Sequence, residues 1–133
     1  MRHTLKKSEI LRGRNSFREV FENGRKCECK FLRCFYLLDE QTNRSNSAVS
    51  AGFAVSRQFT RAVDRNRVKR LMRESYRIHK QILIAKCQVQ LLRVRAVFLY
   101  APPSNVVMPL PSFGEIDEMM QSLLSAINIP VRV

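Results

Sequence analysis

GFAVSRQFTRAVDRNRVKRLMRESYR, residues 52–77, holds the change of pattern on which the fold turns. Its first residues finish an apolar run, AVSAGFAVS (48–56), that reads as a strand. Gly52 inside that run hints at a bulge or a close backbone approach. After a short loop, residues 57–80 become a long helix with Thr60 as its N-cap. Val63, Val68, Leu71, Met72, Ser75 and His79 then form its inner face. The same periodicity sorts the charges. Arg61, Arg65, Lys69 and Arg73 recur every four residues and make one ridge. Asn66, Arg70, Arg73 and Arg77 make a neighbouring ridge, with Arg67 to one side. Between 57 and 80 nine basic residues face only Asp64 and Glu74.

Outward from this helix, the chain alternates. Ser16 to Asn23 reads as a short helix: Ser16 with Glu19 fits a capping box, and Gly24 suits a C-terminal stop. Phe17, Val20 and Phe21 share one face of it. CKFLRCFYLL, 29–38, is a strand, and DEQTNRSNS, 39–47, a polar turn. The strand at 29–38 is expected to pair antiparallel with 48–56. Residues 81–92 fit either a prolonged helix or a turn away from it. RVRAVFLYA, 93–101, alternates as a strand does and stops at Pro102-Pro103. SFGE, 112–115, is a second capping box, opening a last helix to about Ile127. Its buried stripe is Ile116, Met119, Met120, Leu123 and Leu124. Helix, strands, helix, strand, helix is the order of a small two-layer α+β sandwich with helices covering a sheet. The length fits one domain over 1–133, with 1–14 as a flexible basic N-terminal arm.

The charge points to a partner. There are 24 Lys plus Arg against 11 Asp plus Glu, and residues 1–80 carry 20 and 8 of these. So lopsided a field implies a polyanion. Arginine, which outnumbers lysine here, matches phosphate oxygens bidentately. A solvated face would mix its signs. A membrane-surface helix would show a wide apolar face with Trp or Phe, and this helix has neither. A DNA-reading helix would need a dimer or a helix-turn-helix neighbour, and neither is visible. Phe17, Phe21 and Tyr36 are candidate stacking platforms for unpaired bases, against ordinary core packing. No carboxylate cluster, histidine pair or Gly-rich phosphate loop accompanies the basic zone, which argues against a stand-alone nuclease. Cys27, Cys29, Cys34 and Cys87 fit zinc spacing poorly and read as reduced residues filling small apolar space. With no signal-like or membrane-length apolar run, the sequence points to a cytoplasmic protein.

RNRVKRLMRE, 65–74, in its setting of 52–77, resembles the signature of the bacterial ribonuclease P protein component. That signature is R-N-R, a hydrophobic residue, K-R, and then L-x-R-E. SFREVFENGRK, 16–26, resembles the same family's F-x-x-V-F-x-x-G block, and FYLLDE, 35–40, is compatible. The likeness covers about residues 8–80; beyond it mainly the strand-then-helix order agrees. The family implies a fold like the second domain of ribosomal protein S5, with a left-handed βαβ crossover. Residues alone would favour the right-handed rule.

The resemblance also implies a function. The protein would join a catalytic RNA and help it cut the 5′ leader from precursor tRNA. Mg²⁺ would be held mainly by the RNA, which would also supply the catalysis. The protein would be a monomer in a 1:1 ribonucleoprotein. Arg57, Arg61, Arg65, Asn66, Arg67, Lys69, Arg70, Arg73 and Arg77 would face RNA. Phe17, Phe21 and Tyr36, bordered by Arg65, Lys69 and Arg73, would line the cleft for the leader. Gln58 and Thr60 depart from the family's usual basic residue and glycine before the helix. A structural RNA-binding protein of ribosomal type is the alternative that charge and size also allow.

Overall fold

The computed structural model describes residues 5, 7–40, 48–57, 61–90, 92–103 and 109–129. Of the polar turn expected over 39–47, Asp39 and Glu40 instead end a strand, and 41–47 lie outside the described residues, as do Gln58 and Thr60. The elements are α1 (Arg14–Asn23), β1 (Arg25–Cys29), β2 (Leu32–Glu40), β3 (Val49–Val55), α2 (Ala62–His79), α3 (Gln81–Gln90), β4 (Leu92–Tyr100) and α4 (Phe113–Ala126). The four strands form one sheet in the order β1-β2-β4-β3. β1 and β2 are an antiparallel hairpin, and β2 runs antiparallel to β4.

β3 lies parallel to β4, with Val49 opposite Val94 and Val55 opposite Tyr100. The expected pairing of 29–38 with 48–56 is therefore corrected: β4 enters between β2 and β3. Parallel strands need a crossover, and here α2 and α3 supply it. Residues 81–90, ambiguous in sequence, are a separate helix that starts after Lys80.

Alternation along the strands divides the side chains between two faces. Leu32, Cys34, Tyr36, Val49, Ala51, Phe53, Val94, Ala96, Phe98 and Tyr100 join one core beneath α2, α3 and α4. Phe53, Tyr76 and Phe98 sit at its centre, their ring centroids 5.5–5.8 Å apart. From α2 the core takes Val68, Met72, Ser75 and Tyr76. Val63, expected to face inward, is instead 65% exposed, because it lies one turn outside the packed stripe.

α4 begins as its sequence indicates. Ser112 accepts from the Glu115 backbone N–H at 3.2 Å, completing the capping box. Its far end is held by α3: Lys86 Nζ donates to the carbonyls of Leu124, Ser125 and Ile127 at 2.9–3.1 Å. A cation there complements the negative end of the helix dipole. Asp117 of α4 faces α2, within 2.8 Å of Ser75 Oγ and 3.0 Å of His79 Nε2.

The opposite face is covered more thinly. Leu11, Val20 and Val97 are buried there, with Phe17, Phe21, Phe35, Leu37 and Ala54 half-covered around them. α1 begins at Arg14, not Ser16, and Gly13 is its N-cap, with no side chain bonded to the first turn. The capping box expected of Ser16 and Glu19 does not form, since Ser16 lies inside the first turn and Glu19 accepts from Arg95 at 2.5 Å instead. Gly52 of β3 proves a close approach: a Cβ there would meet the Phe17 ring at 2.5–2.6 Å.

The N-terminal segment is tied down from Lys7 onward. Leu11 N–H donates to the Ala51 carbonyl at 2.9 Å, and Ile10 bridges Ala51. Lys80 and Glu9 form a buried ion pair at 2.9 Å that fixes the segment to the end of α2. The flexible arm expected over 1–14 thus gives way to a docked strap where the chain is described. All four cysteines are free thiols; Cys34 and Cys87 are buried and Cys27 and Cys29 half-buried against the core.

Candidate nucleic-acid interface

Helical geometry makes the basic face of α2. With Val68, Met72, Ser75 and Tyr76 turned to the core, 3.6 residues per turn send Asn66, Arg67, Arg70 and Arg73 to the surface. These four surround a shallow depression with Val63 and Lys69. Arg61, also exposed, precedes the first turn. Arg77, one turn further along, donates to Glu74 at 2.9 Å and is partly neutralised by it.

The flank of α2 nearest the sheet is different. Arg65 and Lys69, half-buried, border a second concavity with Arg57, Phe17, Phe53, Ala54 and Val55. β3 supplies its floor, α2 its cationic wall and α1 its aromatic wall. Gly52 is why Phe17 lies so low over β3. Any side chain there would lift the ring out of place. Lys69 lines both depressions and so joins the outer basic face to the aromatic cleft.

The expected cleft residues therefore divide. Phe17, Arg65 and Lys69 come together, joined by Arg57. Arg73 belongs with Asn66, Arg67 and Arg70 on the outer face. Phe21 stays on the α1 side but packs edge-on against Phe35, centroids 5.0 Å apart. Tyr36 does not line the cleft: it is 5% exposed and lies in the core on the opposite face of the sheet. It directly follows Phe35, and a step of one residue along a strand reverses the side. Phe35 is thus the aromatic residue of β2 on the α1 side. Alternation sets it opposite Leu32, Cys34 and Tyr36, but with apolar residues on both faces of β2 the sequence does not say which face is which.

This arrangement suits single-stranded nucleic acid. The guanidinium groups and Lys69 provide phosphate contacts, and a half-exposed ring provides a sequence-tolerant stacking surface. Among the described residues, no three of His, Cys, Asp or Glu gather into a group that would hold a metal ion.

Comparison with known proteins gives the family and the fold. Residues 5–125 match the family model described as Ribonuclease P. The ribonuclease P protein component of Chlorobaculum tepidum is 33% identical over 130 residues, covering 92% of this chain and 84% of that protein. That of Chlorobium phaeobacteroides is 42% identical over 87 residues, covering 64% of this chain and 60% of its own. The solved RNase P protein from Thermotoga maritima superposes with a TM-score of 0.65 at 22% identity, over 90% of this chain and 98% of that one. The last likeness concerns the fold, and it matches the sandwich of four helices and four strands seen here.

Proposed function

The chain belongs to the ribonuclease P protein family, as a bacterial ribonuclease P protein component, and from that premise we propose that it assists a catalytic RNA in removing the 5′ leader from precursor tRNA. The observation that carries the reading is the meeting of Phe17 with Arg57, Arg65 and Lys69 in one concavity, continuous through Lys69 with the outer basic face. The outer face, with Asn66, Arg67, Arg70 and Arg73, grips the catalytic RNA through its phosphates. The concavity takes the leader, whose unpaired bases stack on Phe17 while Arg65 and Lys69 neutralise its backbone.

The chain contributes binding and orientation. Holding leader and RNA core on one rigid sandwich lowers the entropic cost of aligning the scissile phosphodiester. The attack of water on that bond is the RNA's chemistry. Mg²⁺ supports it in the family, where the ion is held mainly by the RNA. The partners are that RNA and the leader, with neither DNA nor membrane, and the protein acts as a monomer in a 1:1 complex in the cytoplasm. No helix among the described residues is long and apolar enough to cross a membrane.

The test is reconstitution. The protein, its organism's catalytic RNA and a leader-bearing tRNA are combined at low Mg²⁺, and each component is omitted in turn. Cleavage that requires the RNA and is strongly stimulated by the protein is the expected result. RNA binding without stimulation would return the chain to the class of structural RNA-binding proteins.

A further inference from the structure

A second basic hollow lies on the α1 side of the sheet, at the other end of β3. Lys7, Arg12, Arg93 and Arg95 line it, together with Asp39 and Ser50. It is separate from the aromatic cleft. The cleft opens around Ala54 and Val55, whereas the hollow opens around Ser50. From Ser50 to Val55 the strand advances roughly 17 Å at its usual rise. Between the two, Leu11 and Phe17 lie over Gly52 as a low saddle.

The charges of the hollow are unevenly matched. Arg95 is taken up: its Nε donates to Asp39 at 3.0 Å and its Nη2 to Glu19 at 2.5 Å. Asp39 stands opposite Arg93 in the strand register, yet its Oδ2 is turned to Arg95. Arg93 Nη2 donates to Ser50 Oγ at 3.2 Å, a neutral partner. Its Nε is buried and has no hydrogen-bond partner among the described residues. A buried donor on a permanently charged group calls for an acceptor. The start of α1 adds to this demand. Ser16 of its first turn also lines the hollow. Gly13, at φ +95°, leaves that turn without a side-chain cap, and no acidic residue lies in it. Open N–H groups at a helix start favour an anion. Arg12 beside them is exposed.

We infer that this hollow is a second phosphate site, which receives a phosphodiester of the single-stranded leader upstream of the nucleotides held at Phe17. The inference rests on the leader reading above. On that reading α2 holds the catalytic RNA, so the leader meets the aromatic cleft beside α2 first and the hollow only after crossing the saddle. Short leaders end before it. Long leaders place one or two phosphates between Arg12, Arg93 and the first turn of α1.

The experiment uses the reconstituted holoenzyme and a series of precursor tRNAs whose leaders lengthen one nucleotide at a time. Wild type should gain affinity in two steps, the second at a leader length that reaches the hollow. Arg12→Ala and Arg93→Gln should each remove the second step, about a fivefold loss, and leave the first. Arg12 is exposed, so its variant answers the question even if Arg93→Gln folds poorly. A methylphosphonate that removes one backbone charge should weaken wild type at a single distal linkage. In Arg12→Ala the same substitution should change nothing, which ties the site to the RNA backbone and not to free phosphate. A first step without a second in wild type would overturn the hollow and leave the cleft standing. Equal losses at every leader length, or no loss in either variant, would overturn it too. Equal binding of mature and leader-bearing tRNA by wild type would instead overturn the leader reading, and the hollow with it.

Discussion

The two faces of the sheet use the same kinds of residue to different ends. Beneath α2, α3 and α4, the aromatic side chains are enclosed: Phe53, Tyr76 and Phe98 are packed ring against ring, and Tyr36 is buried in the same core. On the other face a single helix of ten residues lies over a small cluster, and Phe17, Phe21 and Phe35 remain half-covered. The basic residues gather beside the half-covered rings, at Arg57, Arg65 and Lys69. One face therefore provides the stability that lets the other keep apolar surface open to a ligand. If this division holds, substitutions on the first face should act on folding and those on the second on RNA.

The sharpest way to break the comparison is at its centre. Phe98→Ala empties a fully buried site between Phe53 and Tyr76, and should cost about 3–5 kcal/mol of stability. Denaturant unfolding measures that loss. Any variant protein that remains folded should bind leader-bearing tRNA with wild-type affinity. A leader-specific defect in the folded fraction would mean that the two faces are not independent.

Gly52→Ala lies where the faces meet. The new methyl group would stand 2.5 Å from Phe17 and 3.4 Å from Leu11. The half-covered ring can yield only by lifting off β3, and the packing lost with it should cost about 1–3 kcal/mol. It should also lift Phe17 from the cleft. The expected outcome is combined: a lower unfolding midpoint and weaker binding of leader-bearing tRNA, with mature tRNA unaffected. Loss of stability alone would show that the ring's position is not what the leader senses.

Phe17→Ala and Tyr36→Ala form a pair that sharpens the contrast. Both residues were expected in one cleft, and the structure separates them by a face of the sheet. Phe17→Ala should lower affinity for leader-bearing tRNA by about 1–3 kcal/mol, as loss of one stacking platform does, and leave mature tRNA nearly unchanged. Tyr36→Ala should instead lower stability and weaken both tRNAs only as far as folding is lost. The same pattern for both variants would return Tyr36 to the cleft.

Tyr36 also shows where sequence reading stops. The basic ridge of α2 was legible because a long helix repeats its pattern over 18 residues, and the buried Val68, Met72 and Tyr76 fix its rotation. A strand offers less: its period is two, and an apolar residue on each side, as at Phe35 and Tyr36, leaves the face undecided. β1 was missed because RKCEC is polar and lies at the sheet edge, where only Cys27 and Cys29 turn toward the core. The place of β4 between β2 and β3 was not legible at all. It depends on a parallel pairing across the whole of α2 and α3, and no local pattern records a contact so distant in sequence. Ser16 misled for a related reason: a capping box is a local signal, and here Glu19 finds a better partner in Arg95, 76 residues away.

The smallest effect expected is at Asp117, on the helical side of the well-packed face. Burial raises its carboxyl, but hydrogen bonds from Ser75 and Gln121, with His79 adjacent, outweigh this and hold it below its ordinary value of 3.8. A carboxyl depressed on folding stabilises the protein above its unfolded pKa, and that contribution fades as pH falls through the folded one. Wild type should therefore lose stability on acidification below about pH 4 in part through this group. Asp117→Asn should be slightly less stable at neutral pH and should lose less on acidification, so that the two curves converge in acid. Because Asp117 bridges α4 to α2 through Ser75 and His79, on the side of the sheet away from Phe17, RNA affinity at neutral pH should not change with it. If leader binding weakened in Asp117→Asn while stability held, the packed face would be setting the position of α2 against the cleft, and the division of labour between the two faces would have to be redrawn along that helix.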